Sequence, residues 1–297
     1  MRGLQRILVA LCAAALAACG GPPGGSTPAQ NASAQPATSL RIVSLSPAMT
    51  RCVMDLGGES AIVGRTPWCA APKAAVVGSL QEWDLEAIVG LHPTMLLVQQ
   101  RTPDPQLTQV AAQTGATLVS AHVDHLKDIE SLVVTLAEQL TRAGVPDAAA
   151  RGAALLQEAA DRRQAARQAG QLAALGPTLL LFSSDPPTAF GQGTYVAELW
   201  EALGGTNAIH LPGYPELSLE DVARLDPATV VLVRSAGTTL PPGLRSLPPA
   251  LQRRIRVIAS PALLEPSTAC LREGTTALAE VATTPEAQGA PAAGGAP

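Results

Sequence analysis

An unbroken stretch of helix-forming residues, 147–174, constrains this chain more than any other feature. It holds twelve Ala, no Pro, and only Gly152 and Gly170 as weak points. Ala gives up no side-chain entropy in a helix, so a run of this kind favours helix strongly. Asp147/Arg151 and Glu158/Arg162 stand at i,i+4 with the acid N-terminal, the better order for a helix pair. Pro146 before the run and Gly176-Pro177 after it punctuate both ends. The pattern predicts a helix over 147–174, roughly 40 Å long at about 1.5 Å per residue. That is too long for one small layered unit, and it reads as a spine between two lobes.

The stretches on either side of the spine are alike. Before it stands Asp84-Leu-Glu-Ala-Ile-Val-Gly-Leu-His-Pro-Thr-Met-Leu-Leu-Val98, and after it Ser218-Leu-Glu-Asp-Val-Ala-Arg-Leu-Asp-Pro-Ala-Thr-Val-Val-Leu232. Leu85/Leu219, Glu86/Glu220, Leu91/Leu225 and Pro93/Pro227 coincide. Each copy predicts a capping Asp or Ser, a two-turn helix, a Pro-broken turn and a buried strand. Strands alternate with helices throughout. Leu40–Leu45, Ile62-Val63, Thr117–Ser120, Thr178–Phe182 and Ile255–Ala259 read as further strands. Ser46–Met54, Gln106–Thr114, Ile129–Arg142, Tyr195–Leu203 and Ser267–Val281 read as helices, with Arg65–Pro72, Ser183–Thr194 and Leu211–Leu217 as loops. The expected fold is α/β: two lobes, each with a parallel sheet flanked by helices, joined by one long rigid helix. In such open sheets ligands sit off the carboxyl ends of the strands.

The ends of the chain have another character. Arg2 and Arg6 precede an apolar segment, Ile7–Ala15, too short to span a bilayer permanently. It closes with Leu16-Ala17-Ala18-Cys19, which resembles the bacterial lipobox and implies lipidation of Cys19. The Gly/Pro/Ser-rich stretch that follows reads as a flexible tether. The expected organisation is a signal peptide at 1–18, a tether at 19–39, a first lobe at 40–145, the linking helix at 146–175, a second lobe at 176–282 and a disordered tail at 283–297. The chain is 297 residues long with a formal net charge of −4. It has no basic stripe to neutralise phosphates, so nucleic acid is not an expected partner.

The order and spacing of several short segments resemble the substrate-binding proteins of bacterial ABC importers, in the class whose lobes share one rigid helix. The segments are Arg41-Ile-Val-Ser-Leu-Ser-Pro-Ala48, Val63-Gly64 with Trp68-Cys69 and Pro72, Val77-Gly78 with Leu85-Glu86, Leu91-His-Pro93, Ser184-Asp-Pro-Pro187, Gly191-Gln-Gly-Thr194, Leu203-Gly-Gly-Thr-Asn207, Gly213-Tyr-Pro215 and Ser218-Leu-Glu220. The nearest likeness is to the cobalamin-binding component. The resemblance implies an extracytoplasmic, membrane-anchored and monomeric lipoprotein. It would bind a metal chelate such as cobalamin, with no catalytic cofactor, and deliver it to an ABC permease dimer with its ATPase. Ferric siderophore or haem is the alternative cargo, and an envelope sensor or scaffold without transported ligand the alternative of another class. Four of the seven aromatic residues, Trp68, Trp83, Phe190 and Tyr214, fall on loops where that class meets its ligand. Phe182, Tyr195 and Trp200 read as core. Glu86 and Glu220 occupy the positions where the class presents one acid per lobe to permease arginines; an acid in a first helical turn is also favoured locally by the helix dipole. The chain departs from the class at Leu80, Gln99, Thr50-Arg51, Pro266 and Ala269-Cys270, all at or near the expected cleft.

Other constellations are weaker. His122-x-x-His125 has metal-compatible spacing but lacks further ligands, and both read as polar loop residues. Cys52, Cys69 and Cys270 remain beyond the leader; a Cys52–Cys69 bridge and free buried thiols are both open. There is no Gly-x-Ser-x-Gly elbow and no Gly-x-Gly-x-x-Gly loop, and no catalytic role is expected.

Overall fold

In the computed structural model, residues 39–79 and 82–286 are described. The expected signal segment, Cys19, nearly all of the tether, Leu80 and residues 287–297 lie outside them.

The first lobe is built on a five-stranded sheet of β1 (Ile42–Ser44), β2 (Ile62–Arg65), β3 (Ala75–Val76), β4 (Met95–Val98) and β5 (Thr117–Ser120), in the order β3-β2-β1-β4-β5. Every neighbouring pair is parallel. Helix α1 (Pro47–Asp55) starts where Ser46 accepts the amide of Met49 and Pro47 fills the first turn, which has no use for an N–H. Helices α2 (Leu85–Gly90), α3 (Pro105–Thr114) and α4 (Leu126–Arg142) complete the lobe.

The second lobe contains β6 (Pro177–Ser184), β7 (Pro187–Ala189), β8 (Thr206–Asn207), β9 (Thr229–Arg234) and β10 (Ile255–Ala259), with α6 (Tyr195–Ala202), α7 (Leu219–Leu225) and the short α8 (Pro249–Gln252). Its order is β10-β9-β6-β7, with β8 also paired to β6. This sheet is mixed, because β7 runs antiparallel to β6. Residues 187–189, expected as part of a loop, fold back on the strand that precedes them, which three residues with a single Pro scarcely announce.

The matching stretches on either side of the spine fold alike. Asp84 caps α2 by accepting the amide of Ala87, and Ser218 caps α7 through a reciprocal pair with Asp221. Each helix is followed by a residue at positive φ immediately before proline: His92 at 46° and Asp226 at 43°. Non-glycine residues avoid that region, and a following proline disfavours the right-handed helical alternative. The following strands, β4 and β9, lie inside their sheets, against β1 and β6 respectively.

The linking helix α5 is shorter than its letters suggest. It spans Ala148–Ala169, 22 residues, or roughly 33 Å. Gly170 ends it in the left-handed conformation that a C-terminal glycine adopts freely, and Leu172–Leu175 forms a separate 3-10 turn. The buried stripe consists of small residues, Ala148, Gly152 and Ala159. A Cβ on Gly152 would come within 2.9 Å of Ala137 on α4, so glycine here permits two helices to approach closely. Toward the second lobe α5 uses long side chains: Arg162 reaches Thr276, and Arg167 donates to the carbonyls of Glu201 and Ala202 at the end of α6.

The closing segment, expected as one helix over 267–281, is helical from 268 to 283 but not uniformly. A π-type segment, Cys270–Gly274, precedes α9 (Thr275–Ala279) and a final 3-10 turn. It also ties the lobes together. Thr268 donates to Asp55 at 2.6 Å and Glu273 accepts from Arg51 at 2.8 Å, both partners on α1.

One hydrophobic cluster runs from the inner face of the first sheet, through α1, α4 and α5, to Leu180, Trp200, Val231 and Leu263 in the second lobe. Separate clusters cover the outer face of each sheet. The described residues accordingly belong to a single compact unit.

Candidate functional site: a cleft lined by aromatic rings

Strand polarity places the site. The carboxyl ends of β1 and β4 deliver Leu45, Ser46 and Val98, Gln99, Gln100 to a cavity of about 480 Å³, which Trp68, Trp83, Leu264, Glu265 and Pro266 complete. A second cavity of about 320 Å³ shares Gln99, Leu264 and Pro266 with the first, and is otherwise lined by Val123, Phe182, Phe190, Tyr195 and Tyr214. The shared residues make the two cavities neighbouring chambers of one cleft, with first-lobe loops on one side and second-lobe loops on the other.

All four expected aromatics line it, at different depths. Trp68 is 57% exposed and Tyr214 43% exposed, so both present ring faces to solvent. Trp83 is half-buried; it pairs with Gly78 across a narrow loop, and its indole N–H is buried without an acceptor. Phe190 is only 2% exposed and supports the rings in front of it. Its centroid lies 4.9 Å from Phe182 and 6.1 Å from Tyr214, with Phe182 and Tyr214 edge-to-face at 5.7 Å. Burial pushes the Tyr214 phenol up to about 12, so it stays protonated at neutral pH.

Sequence reasoning placed Gln99 and Pro266 near the cleft but gave several lining groups no part in it. Phe182, read there as core, sits at the carboxyl end of β6 and lines the second chamber; the rule that ligands gather at carboxyl ends of strands could have singled it out. Tyr195 is buried as expected, with its hydroxyl donating to the carbonyl of Leu263 at 2.9 Å, yet its ring also reaches that chamber. Gln99 and Gln100 each spend an amide oxygen on the frame, accepting from Ser46 Oγ and from the amide N–H of Asp104. Glu265 carried no sequence signal at all. Its carboxylate takes part in no hydrogen bond or ion pair among the described residues, and burial raises its pKa above the ordinary glutamate value.

The weaker constellations resolve as contacts within the chain. His122 pairs with Asp124 at 2.9 Å, and His125 bonds Glu198 of α6 at 2.6 Å while the same carboxylate accepts the amide of Leu126. Among the described residues no cluster of His, Cys, Asp and Glu could hold a metal ion. Cys52, Cys69 and Cys270 are free and buried, so the bridge between Cys52 and Cys69 is not formed. Cys69 instead lies 3.1 Å from the Thr66 hydroxyl, and burial pushes the Cys52 thiol up to about 11. Among the described residues no helix is long and apolar enough to cross a membrane.

A frame of two α/β lobes agrees with what comparison finds. Residues 42–293 match the family model described as periplasmic binding protein. The chain belongs to the periplasmic binding protein family. Solved structures share the binding protein's fold. A periplasmic haem-binding protein from Pseudomonas aeruginosa is 25% identical over 81% of this chain and 91% of its own, with a TM-score of 0.63. The vitamin B12 binding protein BtuF of Vibrio cholerae is 21% identical over 82% and 97%, at 0.61. MolA, the molybdate-binding protein of a Haemophilus influenzae ABC transporter, is 18% identical over 82% and 86%, at 0.65. A sequence comparison with curated proteins finds no match.

Glu86 and Glu220 sit in the first turns of α2 and α7, one on each lobe of the binding protein. Both are exposed, and neither has a hydrogen bond or ion pair among the described residues. They follow closely on cleft residues in the chain, three positions after Trp83 and six after Tyr214.

Proposed function

We propose that this periplasmic binding protein captures a cobalamin-like corrinoid outside the cytoplasm and hands it to an ABC import permease. The observation that carries the reading is the pair of exposed rings, Trp68 and Tyr214, in adjoining chambers of one cleft. A large flat chelate would cover such rings at little conformational cost, because an aromatic side chain has few rotamers to lose. Nothing is catalysed in this reading; the partner ATPase supplies the energy. Glu86 and Glu220 dock the two lobes on the permease, and a lipidated Cys19 holds the monomeric protein to the membrane. The continuous core and the paired ties between α1 and the closing segment support lobe movement of a few ångströms rather than wide closure.

A second reading keeps the fold and changes the cargo to haem or a ferric siderophore; likeness to a haem-binding protein at 25% identity favours it. Titrating the purified protein with cyanocobalamin, haem and ferric chelates, with quenching of tryptophan emission as readout, separates the cargoes. Saturable quenching by cyanocobalamin alone is the expected result. Tighter binding of haem or a ferric chelate moves the assignment to the second reading, and no binding of any probe favours a sensor or scaffold.

A further inference from the structure

The charge of the cleft narrows the cargo further, on the reading that the cleft takes a metal chelate. Glu265 is the only charged residue among the described residues that line the two chambers. No Lys, Arg or His lines either of them. The cation that acts on it, Arg51 of α1, is already held by Asp55 at 3.1 Å and by Glu273 at 2.8 Å. Glu265 therefore faces the first chamber as a half-buried carboxylate with no direct ion pair among the described residues. Two primary amides share that chamber. The side-chain nitrogens of Gln99 and Gln100 have no partner among the described residues, while their oxygens are engaged.

We infer that Glu265 is a specificity residue: it makes the cleft select chelates that are neutral or cationic at the edge facing it and reject those fringed by carboxylates or catecholates. An anionic fringe would bring like charge against Glu265 in a partly desolvated site, where Coulomb repulsion is weakly screened and no cation lines the chambers to pair with the ligand. A carboxamide or ammonium fringe would donate to the carboxylate. A carboxamide would in addition accept from the two glutamine amides. On this basis an amide-fringed chelate fits better than a porphyrin bearing propionates, although the aromatic rings would stack on either.

The experiment compares the wild-type protein with Glu265→Gln and Glu265→Lys, checked for native fold by circular dichroism. The probes are cyanocobalamin, ferric desferrioxamine with its ammonium arm, haem, and a ferric tris-catecholate. The expected pattern is binding of at least one neutral or cationic probe by the wild type, and weaker or no binding of the anionic ones. Glu265→Gln should tighten an anionic probe about tenfold or more and weaken an amide or ammonium probe, and Glu265→Lys should carry both shifts further. An anionic probe bound more tightly by the wild type than by Glu265→Gln, or substitutions that move all probes alike, would overturn the charge rule and leave the transport reading standing. Failure of every probe on every variant would overturn both. The outcomes are thus distinct.

Discussion

The two lobes share a matching helix–turn–strand unit and carry unlike linings. The first lobe brings the cleft two indoles and two primary amides, Trp68, Trp83, Gln99 and Gln100; the second brings a stack of phenyl and phenol rings and the carboxylate of Glu265. Beneath these loops the two units coincide down to an unusual backbone conformation, the positive φ of His92 and of Asp226 before their prolines. The difference separates two kinds of constraint. A frame that presents one acid per lobe must keep helix, turn and strand in step, because a shift of one residue would turn strand side chains to the other face of the sheet. Loops at the carboxyl ends of strands carry no such burden and can diverge with the cargo.

The largest effect should come from reversing the acids. Glu86→Lys combined with Glu220→Lys is expected to abolish uptake in cells while leaving ligand affinity unchanged, and each single reversal should cause a partial and similar loss. Uptake unaffected by the double reversal removes docking from these positions, and a loss confined to one of them breaks the equivalence of the lobes. Next in size, Trp68→Ala and Tyr214→Ala should each weaken ligand binding about ten- to hundredfold, since losing a ring that covers ligand forfeits on the order of 1.4–3 kcal/mol. Phe190→Leu, behind the second-lobe stack, should cost less affinity than Tyr214→Ala. The reverse order in titration would place the contact deeper than the exposed rings.

Smaller effects concern stability. Gly152→Leu is expected to destabilise the protein by about 1–3 kcal/mol in urea, because the added side chain meets Ala137 of α4 and Leu56 at the end of α1. An unchanged midpoint would show that the spine can lift off the first lobe without cost. The smallest shift belongs to Glu265. Its folded-state pKa lies above the ordinary value of 4.5, so the fold favours the protonated acid. Ionisation then costs stability as pH rises through the unfolded and folded values, and nothing is lost below both. Glu265→Gln should therefore raise Tm modestly at neutral pH, with the gain vanishing below about pH 4. A gain that persists in acid would assign it to packing instead.

Much of this was legible in the letters. The spine, the twin helix–strand units, the capping Asp84 and Ser218 and the exposed acids after them all rest on contacts within a few residues, which propensity and spacing record. The end of the spine was misjudged by a few residues, because Gly170 works as a stop in the left-handed conformation although glycine is also tolerated inside helices. The antiparallel β7, the π-type segment in the closing helix and the separation of Cys52 from Cys69 were not legible. Each depends on what packs against the segment from elsewhere in the chain.

The same division holds for function. Sequence alone determined the class of frame, two α/β lobes about one helix, because periodicity and repeats are properties of the chain as written. The resemblance to the importer class named Trp68, Trp83, Phe190 and Tyr214, four of seven aromatics that fall on the loops where that class meets its ligand. Only the tertiary structure decided which rings are open and which are supports, and that Gln100 and Glu265 join Gln99 beside them in the same cleft. The exposure of a ring is set by the chain folded against it, as Phe182, Tyr195 and Tyr214 are against Phe190, and the cation acting on Glu265 is Arg51 of the other lobe; no local pattern encodes either.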